Sequence, residues 1–212
     1  MSRAYGSGRR GLDVAAPSTA VEPDGGGFRP ESGRSRPAGG RPRQPLRWHA
    51  GADAGLLVLR LVLAAAFLGH GAQLMFGAFG GPGLAGFTQF LTVQGFSMGS
   101  LLAGITAITE LGGGILVLFG LFTPVAAAGL LAVMINAVWL KLGTGFFVRP
   151  TGAGFELEFV LAGLAAAVVL TGAGRLALDR MFPLFCRPQV TALPCLLLGV
   201  GAALLVRFLA HG

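Results

Sequence analysis

Charged side chains are scarce in this sequence, and the shortage excludes most classes of soluble protein. Of the 212 residues, 12% are charged and 53% are hydrophobic, whereas a soluble domain carries about 25% charged residues. The nine acidic residues are outnumbered by sixteen basic ones, which leaves a formal net charge of +7. This composition is typical of an integral membrane protein.

Cysteine and histidine are also rare, which restricts the redox and metal chemistry that the chain can perform alone. The two cysteines, Cys186 and Cys195, lack Cys-x-x-Cys spacing, and Cys186 falls on the predicted cytoplasmic side, where no structural disulfide is expected. Of the three histidines only His70 lies in an apolar run, so a haem held by two intramembrane histidines is not predicted. The sequence predicts no metal site and has no glycine-rich dinucleotide motif.

The N-terminal residues differ in composition from the rest of the chain. Nine of the sixteen basic residues, all arginine, precede residue 50, together with four acids and many Gly, Pro and Ser residues. Residues 1–52 cannot bury enough apolar surface to offset the entropy of ordering, so we expect a disordered cytoplasmic tail. Its arginines indicate topology, and no nucleic-acid partner is predicted.

Long apolar runs begin at about residue 54 and predict transmembrane helices. A span needs about twenty mostly apolar residues. Five segments reach or approach this length, at about residues 54–75, 99–121, 123–141, 155–172 and 190–209. Only the turn at Thr123-Pro124 separates the second and third, which predicts a tight helical hairpin because proline fits the first turn of a helix. The predicted fold class is all-α: a polytopic transmembrane helix bundle.

The distribution of basic residues predicts the orientation of this bundle. The tail and a loop containing Arg175, Arg180 and Arg187 fall on the same side of the membrane if five spans are counted, and the positive-inside rule assigns that side to the cytoplasm. We expect three parts in the chain: the tail at 1–52, a four-helix bundle at 53–182, and a loop with an additional C-terminal span at 183–212.

A few polar side chains interrupt the apolar runs, and they are the candidate functional residues. Ionisable groups inside a bilayer are costly and normally pair within the protein. Arg60 lies about 9 Å from the cytoplasmic start of the first span, and Glu110 lies about 16 Å from the cytoplasmic end of the second. A long arginine side chain covers this difference in depth. We therefore predict a buried Arg60–Glu110 ion pair, which holds the fold more readily than it performs catalysis.

A second polar cluster is predicted near the outer face. Its members are His70, Gln73, Asn136, Lys141, Glu156 and Glu158. Glu156 and Glu158 are about 200° apart around a helix, so only one of them can point into the bundle. The cluster is either a ligand site or a solvated polar patch, and the residues favour neither.

The segment between the first two spans, residues 76–99, carries no charge. Pro82 can begin a short helix in which Leu84, Phe87 and Leu91 share one face at helical spacing. This segment either lines an access route for a lipid-soluble molecule or forms an apolar loop packed on the mouth of the bundle.

Five motifs occur in a fixed order over about residues 54–180. They are LRLVLAAAFLGHGAQLMFG, FGGPGLAGF, TELGGGILVLFGLFTPVAA, GTGF and GFELEFVLAGLAAAVVLTGAGRLALD. Together they resemble the DoxX family of small bacterial and archaeal membrane proteins. The matching positions include Arg60, His70, Gly71, Gln73, Gly77, Glu110, Gly112, Gly113, Gly120, Thr123, Glu156, Gly172, Gly174 and Asp179. The chain departs from the family pattern at Pro124, where a basic residue is common, and at Lys141, where histidine is common.

The resemblance implies a four-helix membrane core in a prokaryotic plasma membrane. The family takes its name from subunits of a membrane thiosulfate:quinone oxidoreductase, and some relatives are described as membrane partners of soluble thiol and superoxide enzymes. The resemblance favours a membrane subunit of a redox complex that contacts quinone. In such a subunit His70, Gln73 and Glu110 would bind quinone oxygens and relay protons. The alternatives are a non-catalytic scaffold for soluble enzymes and a small-solute or proton transporter. The expected partners are the lipid bilayer, soluble redox enzymes or other membrane subunits, and further copies of the chain.

Overall fold

The computed structural model describes residues 50–150, 152, 154–181 and 188–210. All regular elements in these ranges are helical, apart from an isolated bridge between Arg149 and Gly152. The predicted disordered tail up to residue 49, Cys186, Arg187 and the two remaining histidines lie outside the described residues.

Six α-helices occur among the described residues. They are α1 (Ala50–Phe76), α2 (Gly83–Val93), α3 (Gly99–Phe119), α4 (Thr123–Lys141), α5 (Glu156–Thr171) and α6 (Pro188–Ala210). Four helical segments are long and apolar enough to cross a membrane: Ala50–Phe76, Gly99–Phe119, Thr123–Thr144 and Val190–Phe208. The predicted all-α membrane bundle, with its additional C-terminal span, is confirmed.

Helix α5 corresponds to the predicted fourth span, but it is shorter than the other four. Its 16 residues extend about 24 Å, which is less than the hydrocarbon thickness of about 30 Å. The helix ends at Gly172, whose φ of 74° favours glycine. It packs along α4, and Glu158 in its first turn pairs with Lys141 at the end of α4. Helix α5 therefore lines the bundle interior, although its length does not identify it as a span.

Helices α1 and α3 approach each other through glycines. A methyl group added at Gly71 would lie 2.6 Å from the backbone nitrogen of Leu111, and one added at Gly114 would lie 3.2 Å from the backbone nitrogen of Leu68. Such small residues let helices pack closely in lipid, where van der Waals contact drives association. This contact sets the relative depth of the two helices, so Glu110 of α3 is level with His70 and Gly71 of α1.

We predict that Gly71→Val weakens the bundle, because its side chain must displace the α3 backbone instead of a flexible side chain. Overpacking of this kind costs about 1–3 kcal/mol. Thermal unfolding of the detergent-solubilised protein measures the loss. Gly69→Val is the matched control, since Gly69 lies on the same helix with no other group within 4 Å. Equal unfolding temperatures for the two variants would contradict the proposed contact.

Helix α4 occupies the middle of the bundle and packs against α3, α5 and α6. The predicted hairpin between α3 and α4 is confirmed: Gly120 caps α3 in the left-handed conformation, and Leu121 N–H donates to the Leu116 carbonyl at 2.8 Å. Helix α6 packs closely on α4, because a methyl group at Gly199 would lie 2.6 Å from the Ala128 carbonyl oxygen. Helix α2 packs on α3 and α1 near the opposite end of the bundle from this turn.

Candidate functional site

The Arg60 side chain joins the ends of two helices at the predicted cytoplasmic side. It is 1% exposed. Its Nε donates to the Val117 carbonyl at 3.0 Å and its Nη2 to the Leu118 carbonyl at 2.9 Å, both in the last turn of α3. Its Nη1 donates to the carbonyls of Ala173 at 3.0 Å and Leu176 at 2.8 Å, just beyond the end of α5. One cation thus joins the last turn of α3, where carbonyls have few donors within the helix, to the segment that follows α5.

Asp179 completes this inner arrangement. Its carboxylate is buried, interacts electrostatically with Arg60 and accepts a hydrogen bond from the Thr123 N–H at 3.0 Å, at the first residue of α4. A carboxylate is favourable at a helix N-terminus, because the N–H groups there lack acceptors within the helix. The Arg60–Asp179 group therefore stabilises the inner end of the bundle.

The predicted ion pair between Arg60 and Glu110 does not form. Arg60 is level with residues 117 and 118 of α3, which are seven and eight positions from Glu110, or about 10 to 12 Å along the helix. The prediction failed because backbone carbonyls at helix ends, and not a carboxylate, provide the acceptors for the guanidinium.

Glu110 is instead an isolated carboxyl group at mid-depth. It lies eleven residues after the first residue of α3 and nine before the last, about 16 and 14 Å from the two ends. The side chain is 4% exposed, and its Oε2 atom is buried with no hydrogen-bond partner among the described residues. Buried polar groups normally have partners, and an unpartnered carboxyl oxygen in the middle of a membrane protein makes Glu110 a candidate functional residue.

Glu110 lines a cavity of about 390 Å³ in the interior of the bundle. All six helices contribute to its walls, and most of the lining side chains are apolar. The polar residues that line it are His70, Thr106, Thr109, Glu110, Asn136, Lys141 and Glu158. A concave, mostly apolar site with a few converging polar groups is the usual form of a small-molecule site.

The structure brings together four members of the predicted outer cluster. His70, Asn136, Lys141 and Glu158 line the same cavity as Glu110. Lys141 Nζ donates to Glu158 Oε1 in an ion pair, while Glu158 Oε2 is buried with no hydrogen-bond partner among the described residues. Asn136 Nδ2 donates to the Ala132 carbonyl at 3.0 Å. Lys141 and Glu158 thus lie at the end of the cavity that was predicted to face outward, whereas His70 is level with Glu110 at mid-depth and not near the outer face as predicted.

The other two members, Gln73 and Glu156, do not line the cavity. Gln73 packs against the loop after α1, where a methyl group at Gly81 would lie 2.8 Å from the Gln73 Cα. Glu156 is the first residue of α5, and its N–H donates to the Phe146 carbonyl at 3.0 Å. Of the two glutamates that cannot both point inward, Glu158 is the one inside.

Sequence reasoning missed two threonines beside Glu110. Thr106 and Thr109 precede it by four and one positions, and both line the cavity. The four-residue spacing places Thr106 on the Glu110 side of α3, whereas Thr109 is about 100° from Glu110 around the helix. A polar residue one turn before a carboxyl in an apolar run was the signal that could have identified Thr106.

The segment between α1 and α3 forms one wall of the cavity. Helix α2 begins after Pro82, as predicted, and its residues Phe87, Phe90 and Leu91 line the cavity together with Phe96. Phe90 is at the same time exposed on the outer surface of the bundle. The cavity therefore reaches the lipid-facing surface beside α2.

Comparison with protein families gives a match to the DoxX family model at residues 55–143. The match covers α1 to α4, including Arg60, His70, Glu110 and Lys141. The remainder of the predicted resemblance, from residue 144 to 180, lies beyond the matched region. Comparison with curated proteins and with solved structures returned no significant match.

Proposed function

The chain is a DoxX-family membrane protein over residues 55–143, and we propose that it is a membrane subunit of a redox complex that binds quinone in the Glu110 cavity. The observation that carries the proposal is the unpartnered Glu110 carboxyl group in a mostly apolar cavity of about 390 Å³. Cavities of about 300–1,000 Å³ with few polar groups hold small organic ligands.

The residues of the cavity fit a quinone ring. Quinone oxygens accept hydrogen bonds, and the hydroxyl groups of the reduced form donate them. Glu110 can donate when protonated and accept when ionised, while His70 and the two threonines can do either. The apolar walls, including Phe87 and Leu91, match a lipid-soluble ring. Ligand of this kind would reach the cavity from the bilayer, past the exposed side chains of Phe90, Ile105 and Leu157, which also line it.

The roles of the residues follow from their positions. Bound quinone would supply two-electron chemistry that is coupled to the uptake or release of two protons. Glu110 would hold one of those protons at its carboxyl oxygen, in a site from which the apolar walls exclude bulk water. The Lys141–Glu158 ion pair would stabilise charge at the outer end of the cavity. A partner protein would exchange the electrons.

The proposal predicts that Glu110→Gln stops quinol turnover but leaves the fold intact. Glutamine keeps the size and hydrogen-bonding capacity of the side chain but cannot transfer a proton, and loss of a positioned acid or base costs about 10²–10⁴-fold in rate. Glu156→Gln is the matched control, because it removes a carboxyl from the same protein outside the cavity. Mass spectrometry of the protein purified in mild detergent would report bound quinone and any redox enzyme that co-purifies. Quinol oxidation by membranes containing each variant would report turnover.

The idea fails if the purified protein retains no quinone and Glu110→Gln turns over quinol at the rate of Glu156→Gln. Retained quinone with equal turnover in both variants would leave binding in place but remove Glu110 from proton transfer.

Transport of a proton or small solute is the second candidate, and the same mid-depth carboxyl favours it. Liposome flux that disappears in Glu110→Gln would support it. A continuous pathway across the membrane is disfavoured, because fully buried Leu63, Phe67, Val117 and Leu130 fill the core between the helices.

A further inference from the structure

A second, smaller pocket lies at the outer end of the bundle, and it differs from the cavity in character. It has a volume of about 160 Å³ and is lined by Gln94, Phe96, Asn136, Trp139, Leu140 and Arg207. We call it the Arg207 pocket. Phe96, Asn136 and Leu140 also line the Glu110 cavity, so the two spaces are neighbours. The family match ends at residue 143, and Arg207, on α6, lies outside it.

Arg207 is a partly buried cation without an acidic partner in the described ranges. All five acidic residues from position 50 onward are described, and the ion pair found among them joins Glu158 to Lys141. The Arg207 guanidinium lies over the Trp139 ring, with Cζ at 5.2 Å from the ring centroid. A charged group close to an apolar region normally has a partner of opposite charge, so a bound anion would stabilise Arg207.

The stacking on Trp139 prepares the guanidinium for such an anion. The guanidinium lies over the indole at a cation–π distance, which restricts its rotamers. The N–H groups point outward in the plane of the guanidinium, so stacking leaves them accessible for two parallel hydrogen bonds to an oxyanion. The Gln94 side-chain amide, in the same pocket, adds donors.

The surroundings of the pocket indicate where the anion comes from. Arg207 and Trp139 lie in the last turns of α6 and α4, where a span meets the membrane surface. The neighbouring side chains Val93 and Phe208 are highly exposed, at 78% and 76%. A polar, cationic pocket with apolar surface on both sides suits a lipid headgroup whose chains run along the bundle.

We propose that the Arg207 pocket binds a phosphate oxyanion, carried by the headgroup of an anionic phospholipid. This site is independent of the proposed quinone function. Trp139 lies in the pocket and can report on it directly, because the chain has only one other tryptophan, Trp48.

The experiment uses the full-length protein with Trp48→Phe, so that fluorescence comes from Trp139 alone. Mixed micelles with a rising fraction of phosphatidylglycerol are the probe, and phosphatidylcholine is the comparison lipid without net charge. We expect a saturable change with phosphatidylglycerol and none with phosphatidylcholine. Arg207→Gln should raise the midpoint about fivefold or more, the effect of one lipid-binding arginine. Arg149→Gln removes the same charge from an exposed loop position and should leave the midpoint unchanged.

Two further measurements separate the remaining outcomes. If inorganic phosphate alone changes the Trp139 signal and competes with phosphatidylglycerol, the site binds the oxyanion but takes it from solution. Arg207→Lys, which keeps the charge but not the planar pair of donors, should have an intermediate midpoint and guards against a folding defect in Arg207→Gln. Equal midpoints for Arg207→Gln and Arg149→Gln would overturn the proposal.

Discussion

Replacement of Arg60 by methionine is expected to lower the stability of the bundle by about 3–5 kcal/mol, which is the cost of breaking a buried charged network by removing one partner. The four carbonyls to which Arg60 donates would lose that donor, although the Val117 carbonyl would keep the Gly120 N–H. The carboxylate of Asp179 would lose its neighbouring cation at the same time. Thermal unfolding in detergent measures the loss.

Two variants define what the result means. Arg175→Gln removes an exposed arginine near the same end of the bundle, so its unfolding temperature should stay close to that of the wild type. Arg60→Lys keeps the charge but cannot serve four acceptors in a plane, and it should be intermediate. If Arg60→Met were as stable as Arg175→Gln, the hydrogen bonds of Arg60 would not be what holds α3 to the segment after α5.

Replacement of Glu110 by leucine is expected to act in the opposite direction, raising stability by about 1–3 kcal/mol, because an unpartnered buried polar group costs about that much. Leucine is of similar size and suits the apolar walls of the cavity. The same variant should lose bound quinone, since it removes the one carboxyl that lies at mid-depth among the described residues. Unfolding temperature and quinone content are measured on one preparation.

Glu156→Leu is the matched control for this variant. Glu156 is only partly buried and lies outside the cavity, so neither stability nor quinone content should change much. A Glu110→Leu protein that is less stable than the wild type would indicate that the carboxyl has a partner in the membrane and contributes to the fold.

The sequence was sufficient for the helices, because hydrocarbon permits few alternatives to a helix in a long apolar run. It was also sufficient for the α3–α4 hairpin, where Pro124 and the left-handed Gly120 have local roles. Helix α5 was predicted as the fourth span, but its 16 residues are fewer than a span usually needs. Its position depends on its contacts with α4, which no local pattern contains.

The site was only partly predictable, for a reason that Arg60 illustrates. In the sequence, Arg60 and Glu110 are oppositely charged residues at similar depth in neighbouring apolar runs, so Glu110 was predicted to be the partner of Arg60. The actual acceptors are backbone carbonyls, which every residue has and no sequence pattern marks. The depth of Glu110 relative to α1 is set by the contact of Gly71 with Leu111, a tertiary fact. By contrast, the rule that only one of Glu156 and Glu158 faces inward needed only helical geometry.

The hydrogen bonds of Arg60 also show that the folded unit extends beyond the region that matches the family model. The match to the family model ends at residue 143, yet Arg60 bonds to residues 173 and 176, and the Thr123 N–H at the start of α4 donates to Asp179. A fragment excised at the limits of the match would keep the guanidinium but discard half of its acceptors and the cap of its last helix. We therefore expect a stable unit to extend at least through residue 179, more than thirty residues past the end of the family match.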